Sequence, residues 1–209
     1  EVGGTVGDLE GQPFLEAIRQ MRFEVGAENA VYVHVTLVPF IKAAHEFKTK
    51  PTQHSVKELL GYGISPGIIV CRSESPLDQK LKHKLSLFCN VAQNCVVSAY
   101  DVSSLYELPL ALHREGLDDR IVEMLNIWTG APQLADWERI DRITRNPERG
   151  TVTVAMVGKY VDLTESYKSL TEALHHSGID NNCSVNVVYV DSEEIERVGI
   201  DAALSKASS

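Results

Sequence analysis

No apolar run in the 209 residues approaches the roughly 20 that a membrane-spanning helix needs. The N-terminus has no basic stretch followed by an apolar segment and a small-residue cleavage site, so secretion is not expected and a cytoplasmic location is. Cysteine is sparse: Cys71, Cys89, Cys95 and Cys183 are scattered, with no C-x-x-C pair. Neither a zinc site nor a disulfide framework is suggested, and reduced thiols are expected. Positive charge is also short, with 20 Lys and Arg against 29 Asp and Glu, a formal charge of −9. A general nucleic-acid binder is thereby disfavoured, although a local basic patch can still hold a small anion. No G-x-x-x-x-G-K-[ST] phosphate loop appears anywhere. His175 and His176 are adjacent and cannot form an i, i+4 metal pair, and no Ser-His-Asp or Cys-His set can be assembled from spacing alone.

What is present reads as an ordinary globular chain, 44% apolar and 23% charged. It opens at Glu1, without Met, inside the glycine-rich turn Glu1-Val2-Gly3-Gly4-Thr5-Val6-Gly7-Asp8, and it ends in Ala207-Ser208-Ser209. Both ends read as cuts, so a fragment is expected. Between them helices and strands alternate. Pro13 to Glu24 predicts a helix with Phe14, Ile18 and Met21 as its stripe, and Val31 to Leu37 alternates as a strand. Thr52 to Leu60 predicts a helix with Val56, Leu59 and Leu60 inward and Gly61 as its stop. Ile68 to Cys71 reads as a buried strand. Ser75 and Pro76 read as the start of a helix striped by Leu77, Leu81, Leu85 and Phe88. Cys95 to Tyr100 reads as a strand, followed by helical turns over Leu105–His113 and Asp118–Ile127. Thr129 to Gly150 breaks the rhythm and reads as a connector with one helical stretch. Thr151 to Val157, a helix over about 165–176 and Ser184 to Val190 then look like the opening βαβ of a second domain. The expected class is α/β, with a mostly parallel sheet flanked by helices. The expected divisions are 1–128, a linker over 129–150, and 151–209.

Three segments can carry chemistry. The glycine turn lets backbone N–H groups approach an anion, and Glu1, Asp8 and Glu10 around it are suitable Mg²⁺ carboxylates; a plain tight turn with solvated acids is the alternative. Lys48-Thr49-Lys50-Pro51-Thr52-Gln53-His54-Ser55 concentrates ammonium and hydroxyl groups at a helix start, where free N–H groups favour anions; a triphosphate suits it, as does a merely capped helix. Lys80, Lys82 and Lys84 read mostly as a solvated face, with one able to reach a phosphate. Tyr100-Asp101-Val102 ends a strand, where open α/β sheets place ligands, and helix capping by Asp101 or Ser103 is the alternative.

In order along the chain, Glu1 to Glu10 with Pro13-Phe14, Lys48 to Leu60, Cys71-Arg72-Ser73, Phe88-Cys89-Asn90-Val91 and Asp101 to Tyr106 resemble the CTP synthase family. Met156-Val157-Gly158-Lys159-Tyr160 and Ser166-Tyr167-Lys168-Ser169 continue the resemblance, which covers nearly the whole chain, with Gly11 as a local departure. The resemblance implies a P-loop-like synthetase (amidoligase) domain, a linker, and the start of a class I glutamine amidotransferase domain. It implies conversion of UTP to CTP: ATP phosphorylates the uracil 4-oxygen, and ammonia made from glutamine displaces the phosphate. It also implies Mg²⁺, GTP as allosteric activator, and a homotetramer, with neither nucleic acid nor membrane as partner.

By position, the resemblance makes Glu1 one of two acidic Mg²⁺ ligands, and Asp8, Leu9 and Glu10 the segment contacting inhibitory CTP. It makes Lys48, Thr49, Lys50, Pro51, Thr52 and Gln53, with Lys84, the UTP and CTP triphosphate site. Tyr100, Asp101 and Val102 match the adenine-reading segment of the ATP site, and Arg72 is placed near the ATP phosphates. The family's phosphate loop and second metal ligand fall upstream of Glu1, and its glutaminase Cys, His and Glu fall downstream of Ser209, so no catalytic residue is assigned and the isolated chain is expected not to make CTP. A non-catalytic nucleotide-binding or assembly module derived from the same family is the alternative. A simpler dethiobiotin-synthetase-type ligase is disfavoured by the Lys48–Gln53 segment and by the strand-turn at Val157–Lys159.

Overall fold

The computed structural model describes residues 1–207; Ser208 and Ser209, the last residues of the expected 151–209 segment, lie outside the described residues. The chain divides into two compact units, Glu1–Leu134 and the remainder from Ala135. In the first, α1 (Gln12–Val25) precedes β1 (Val33–Leu37), and a two-residue antiparallel pair follows, β2 (Phe40–Ile41) with β3 (Glu46–Phe47). Next come α2 (Lys50–Gly61), β4 (Ile68–Ser73), α3 (Gln79–Cys89), β5 (Val96–Tyr100), α4 (Leu108–Arg114) and α5 (Leu117–Met124). The sheet order is β1-β4-β5, parallel throughout, with Val35 opposite Val70 and Val70 opposite Val97. This is the α/β architecture expected of strands alternating with helices. Central β4 is apolar on both faces, and Ile68, Ile69 and Cys71 are fully buried against Val56, Leu85 and Val97. All four cysteines are free, and burial pushes the Cys71 thiol up to about 12.

The second unit contains α6 (Ala135–Arg145), β6 (Thr151–Gly158), α7 (Lys168–Asp180), β7 (Ser184–Asp191), α8 (Ser192–Val198) and α9 (Ile200–Ala207). β6 and β7 pair in parallel from Thr151–Ser184 to Gly158–Asp191, with α7 as the crossover. A Cβ on Gly158 would stand 2.1 Å from the Tyr167 hydroxyl, so only glycine allows the ring to close over the end of β6. No helix among the described residues is long and apolar enough to cross a membrane.

Several local expectations are corrected. In α1 the buried residue is Leu15, with Ile18 beside it, whereas Phe14 and Met21 are exposed; the helix packs through a face one position round from the expected stripe. Leu60 is exposed too, and Gly61 lies inside α2; the left-handed residue after that helix is Gly63 (φ +77°). The third helix does not start at Ser75-Pro76. Asp78 caps it, its carboxylate accepting from the Leu81 N–H at 2.7 Å, because an ionised acceptor at an N-cap binds free N–H groups more strongly than a hydroxyl. The start therefore shifts to Gln79; Leu85 and Cys89, four apart, share the buried face, and Phe88 is exposed. Leu85 is fully buried beneath β4, so Leu85→Ala should lower unfolding stability by about 3 kcal/mol in chemical denaturation.

Candidate functional site

Two groups of the expected residues meet the C-terminal edge of the three-stranded sheet, where parallel α/β sheets present ligands. The first is the start of α2. In β1 the polar residues face inward: His34 and Thr36 are buried while Val35 and Leu37 are about 60% exposed. This inversion works because α2 answers with polar groups at the matching spacing. The Thr36 hydroxyl donates to the Thr52 hydroxyl at 3.2 Å, and the Thr52 hydroxyl donates to the Leu37 carbonyl at 3.2 Å. His34 Nε2 lies 2.8 Å from the Ser55 hydroxyl. Thr52, Ser55, Val56 and Leu59 recur at helical spacing, so one face of α2 carries both the polar seam and the apolar contact. A buried hydroxyl with a partner costs little, and one without costs about 1–3 kcal/mol.

The same seam turns the lysines outward. Thr49 is buried, its hydroxyl accepting from the Gln53 amide at 3.1 Å, and the Lys48 N–H donates to the Pro39 carbonyl at 2.9 Å. Lys48, Lys50 and Pro51 face solvent, with Pro51 in the first turn of the helix. Lys48 forms an ion pair with Glu46. Lys84 on α3 comes close enough that it, after Lys48, holds the Glu46 carboxyl below the usual carboxylate range. Glu46 and Lys84 share the wall of a cleft of about 700 Å³, whose apolar side includes Phe40, Phe47 and Phe88. Lys82 departs from the expected solvated face. Its ammonium is largely buried and lies 2.6 Å from Glu115, whose carboxylate also accepts the Ser98 N–H of β5 at 2.7 Å.

The second group lies at the ends of β4 and β5. The Arg72 guanidinium donates to the Ala99 carbonyl at 2.7 Å and to the Asp101 carboxylate at 2.8 Å, while the Asp101 N–H donates to the Ser73 carbonyl at 3.1 Å. Arg72 is therefore tied to the Tyr100-Asp101-Val102 segment in this structure. Arg114 reinforces it from α4, its guanidinium drawn to the Tyr100 hydroxyl and to Glu107.

The glycine turn holds itself. The Asp8 carboxylate accepts from the Thr5 N–H at 3.0 Å, and Gly4 and Gly7 adopt φ of +84° and +107°, which side chains disfavour. Glu1, Leu9 and Glu10 are exposed. Among the described residues no three His, Cys, Asp or Glu are grouped to hold a metal ion. Glu1 thus fits Mg²⁺ only as a single carboxylate beside phosphate oxygens, which is a coordination Mg²⁺ accepts. Glu46, Thr36 and Glu115 were not singled out from the sequence. The Glu-Phe-Lys alternation at 46–48 was the readable signal for the first, because alternate residues of an extended chain share a face.

A parallel sheet with exposed lysines at the pinned helix start beside it defines an α/β protein with basic side chains near the C-terminal ends of its strands. Comparison with known proteins takes this class to one family. The chain matches the family model described as CTP synthase N-terminus over residues 1–127. It is 57% identical over 204 residues to the CTP synthase of Geotalea uraniireducens and 58% identical over 203 residues to that of Geobacter sulfurreducens. Those matches cover 98% and 97% of this chain and 38% of each relative. The chain belongs to the CTP synthase family, and it spans 38% of the length of these curated relatives.

Two outcomes follow from the seam. Thr52→Val leaves the Thr36 hydroxyl without its partner and should cost about 1–2 kcal/mol in urea unfolding, with Thr52→Ser recovering most of it. Burial holds the His34 pKa below its ordinary 6.5. The unfolded chain therefore binds that proton first as pH falls, and the stability His34 contributes is complete above about 6.5 and lost as pH drops toward the folded value. Urea midpoints measured between about pH 7 and pH 5 should fall more steeply for the unmodified chain than for His34→Gln.

Proposed function

We propose that this chain supplies the pyrimidine-nucleotide site and the adenine-reading edge of an ATP-dependent C–N ligase that aminates UTP to CTP. The approach of Lys48 and Lys84, from two separate elements, to Glu46 just ahead of the pinned start of α2 is the observation that carries this reading. Two ammonium groups with the exposed Lys50 suit the triphosphate of UTP, or of CTP as inhibitor, with Gln53 alongside and Thr49, Pro51 and Thr52 fixing the segment. Asp8, Leu9 and Glu10 contribute the further CTP contacts. Tyr100, Asp101 and Val102 read the adenine of ATP, and Arg72 orients that segment through Asp101.

In the reaction the uracil 4-oxygen attacks the γ-phosphorus of ATP and ADP departs. Ammonia then attacks C4, and inorganic phosphate leaves with the former 4-oxygen. Phosphoryl transfer depends on positioning and charge neutralisation, which is what lysines on a fixed helix start provide. Glu1 is the residue that would hold Mg²⁺, and the ion when bound would supply further neutralisation of phosphate charge. Residues 151 onward are proposed as the opening of the glutaminase domain that generates ammonia, with 129–150 as linker. The full assembly is proposed to be a cytoplasmic homotetramer activated by GTP.

A chimera in which this chain replaces the matching 204 residues of the Geotalea uraniireducens relative tests the reading. It should form CTP from UTP, ATP, Mg²⁺ and ammonium, and Glu1→Ala should lower that rate about 100-fold or more. A folded chimera that binds UTP without turnover would instead favour the binding or assembly role. The 209 residues alone are expected to bind UTP without forming CTP.

A further inference from the structure

Glu46 and Lys48 lie two apart on an extended stretch of chain, where alternate residues share a face, and their side chains form an ion pair. Lys84 adds its field from α3, so the Glu46 carboxyl is held below the usual carboxylate range, first by Lys48 and further by Lys84. The pair is about half exposed, 47% for Lys48 and 55% for Glu46. Water screens such a pair, so a ligand of higher charge can replace the carboxylate at small cost. Glu46 also lines the cleft together with Lys80, His83 and Lys84; the second carboxylate there, Asp78, is already engaged in capping α3 through the Leu81 N–H, whereas that of Glu46 is set against Lys48. A carboxylate in that position uses the same ammonium group that an incoming phosphate needs.

We propose that Glu46 is a tethered counter-anion, an autoinhibitory contact that occupies Lys48 in the empty site and must be displaced by the triphosphate of the nucleotide. The inference rests on the reading of Lys48 and Lys84 as triphosphate lysines. Ligand binds only the fraction of molecules in which Lys48 is released, so the apparent affinity is reduced by that fraction. Removing the charge of Glu46 therefore strengthens binding, the opposite of what loss of a ligand or of a structural contact gives.

The test is isothermal titration calorimetry on the 209-residue chain, with UTP, inorganic tripolyphosphate and uridine as probes. Glu46→Gln, an isosteric change at an exposed position, should tighten UTP and tripolyphosphate about threefold each and leave uridine unchanged. In a Lys48→Ala background the same substitution should give clearly less than that gain. Unchanged or weaker binding by Glu46→Gln overturns the proposal; weaker binding is what a carboxylate ligating nucleotide-bound Mg²⁺ would give. Equal gain without Lys48, or gain for UTP with none for tripolyphosphate, overturns it as well. Failure of the unmodified chain to bind UTP overturns the triphosphate reading itself, and the counter-anion role with it.

Discussion

The seam between β1 and α2 is the contact on which the candidate site depends. Two threonine hydroxyls, one strand carbonyl and a His–Ser pair replace the apolar packing that usually joins a helix to a parallel sheet. Apolar packing fixes a helix's distance from a sheet more tightly than its rotation and slide, because dispersion contacts have little directionality. Hydrogen bonds at 3.2 Å and 2.8 Å have direction, and they set which residues of 48–53 point out. The energetic cost of burying these polar groups is met by their mutual satisfaction, while Val56 and Leu59 one turn further on supply the apolar burial. The helix is thus placed by polar contacts near its start and held by apolar ones beyond.

The opposite end of the sheet edge is fixed by charge. Arg72 bridges β5 and the residue that follows it, using one nitrogen for the Ala99 carbonyl and another for Asp101. The planar guanidinium makes both bonds at once, which a lysine at this position would not reproduce. Helix start and strand ends therefore face the same edge by different means.

The class of fold was legible because strand–helix alternation survives any uncertainty about element ends. Val31 to Leu37 announced a strand, and β1 spans Val33–Leu37. Its orientation was not legible, because valines on one face and His and Thr on the other suggest the reverse of what is buried; only the matching Thr52 and Ser55 on α2 decide it. The α1 stripe failed for a related reason. Phe14, Ile18 and Met21 share a face, but Leu15 points toward Leu59 and Ile64, and tertiary packing chose the neighbouring face. Lys82 looked like one of three solvated lysines, and nothing local marks the glutamate 33 residues later that draws it inward. The segments implied by family resemblance lay in long, ordered motifs, and the comparison with CTP synthases shows that family plainly. Glu46 lies just before one such motif and was passed over because the resemblance stops at Lys48.

The bond from the Ser98 N–H to Glu115 bears on how the molecule behaves among its own copies. A sheet grows by strand addition wherever a rim of unpaired N–H and C=O groups is open. On β5 that rim is interrupted by a carboxylate, itself neutralised by Lys82, so an incoming strand would have to expel a buried ion pair. Strand addition at β5 is thereby opposed by charge, with a single glutamate from beyond α4 serving as the guard that other sheets obtain from a covering helix.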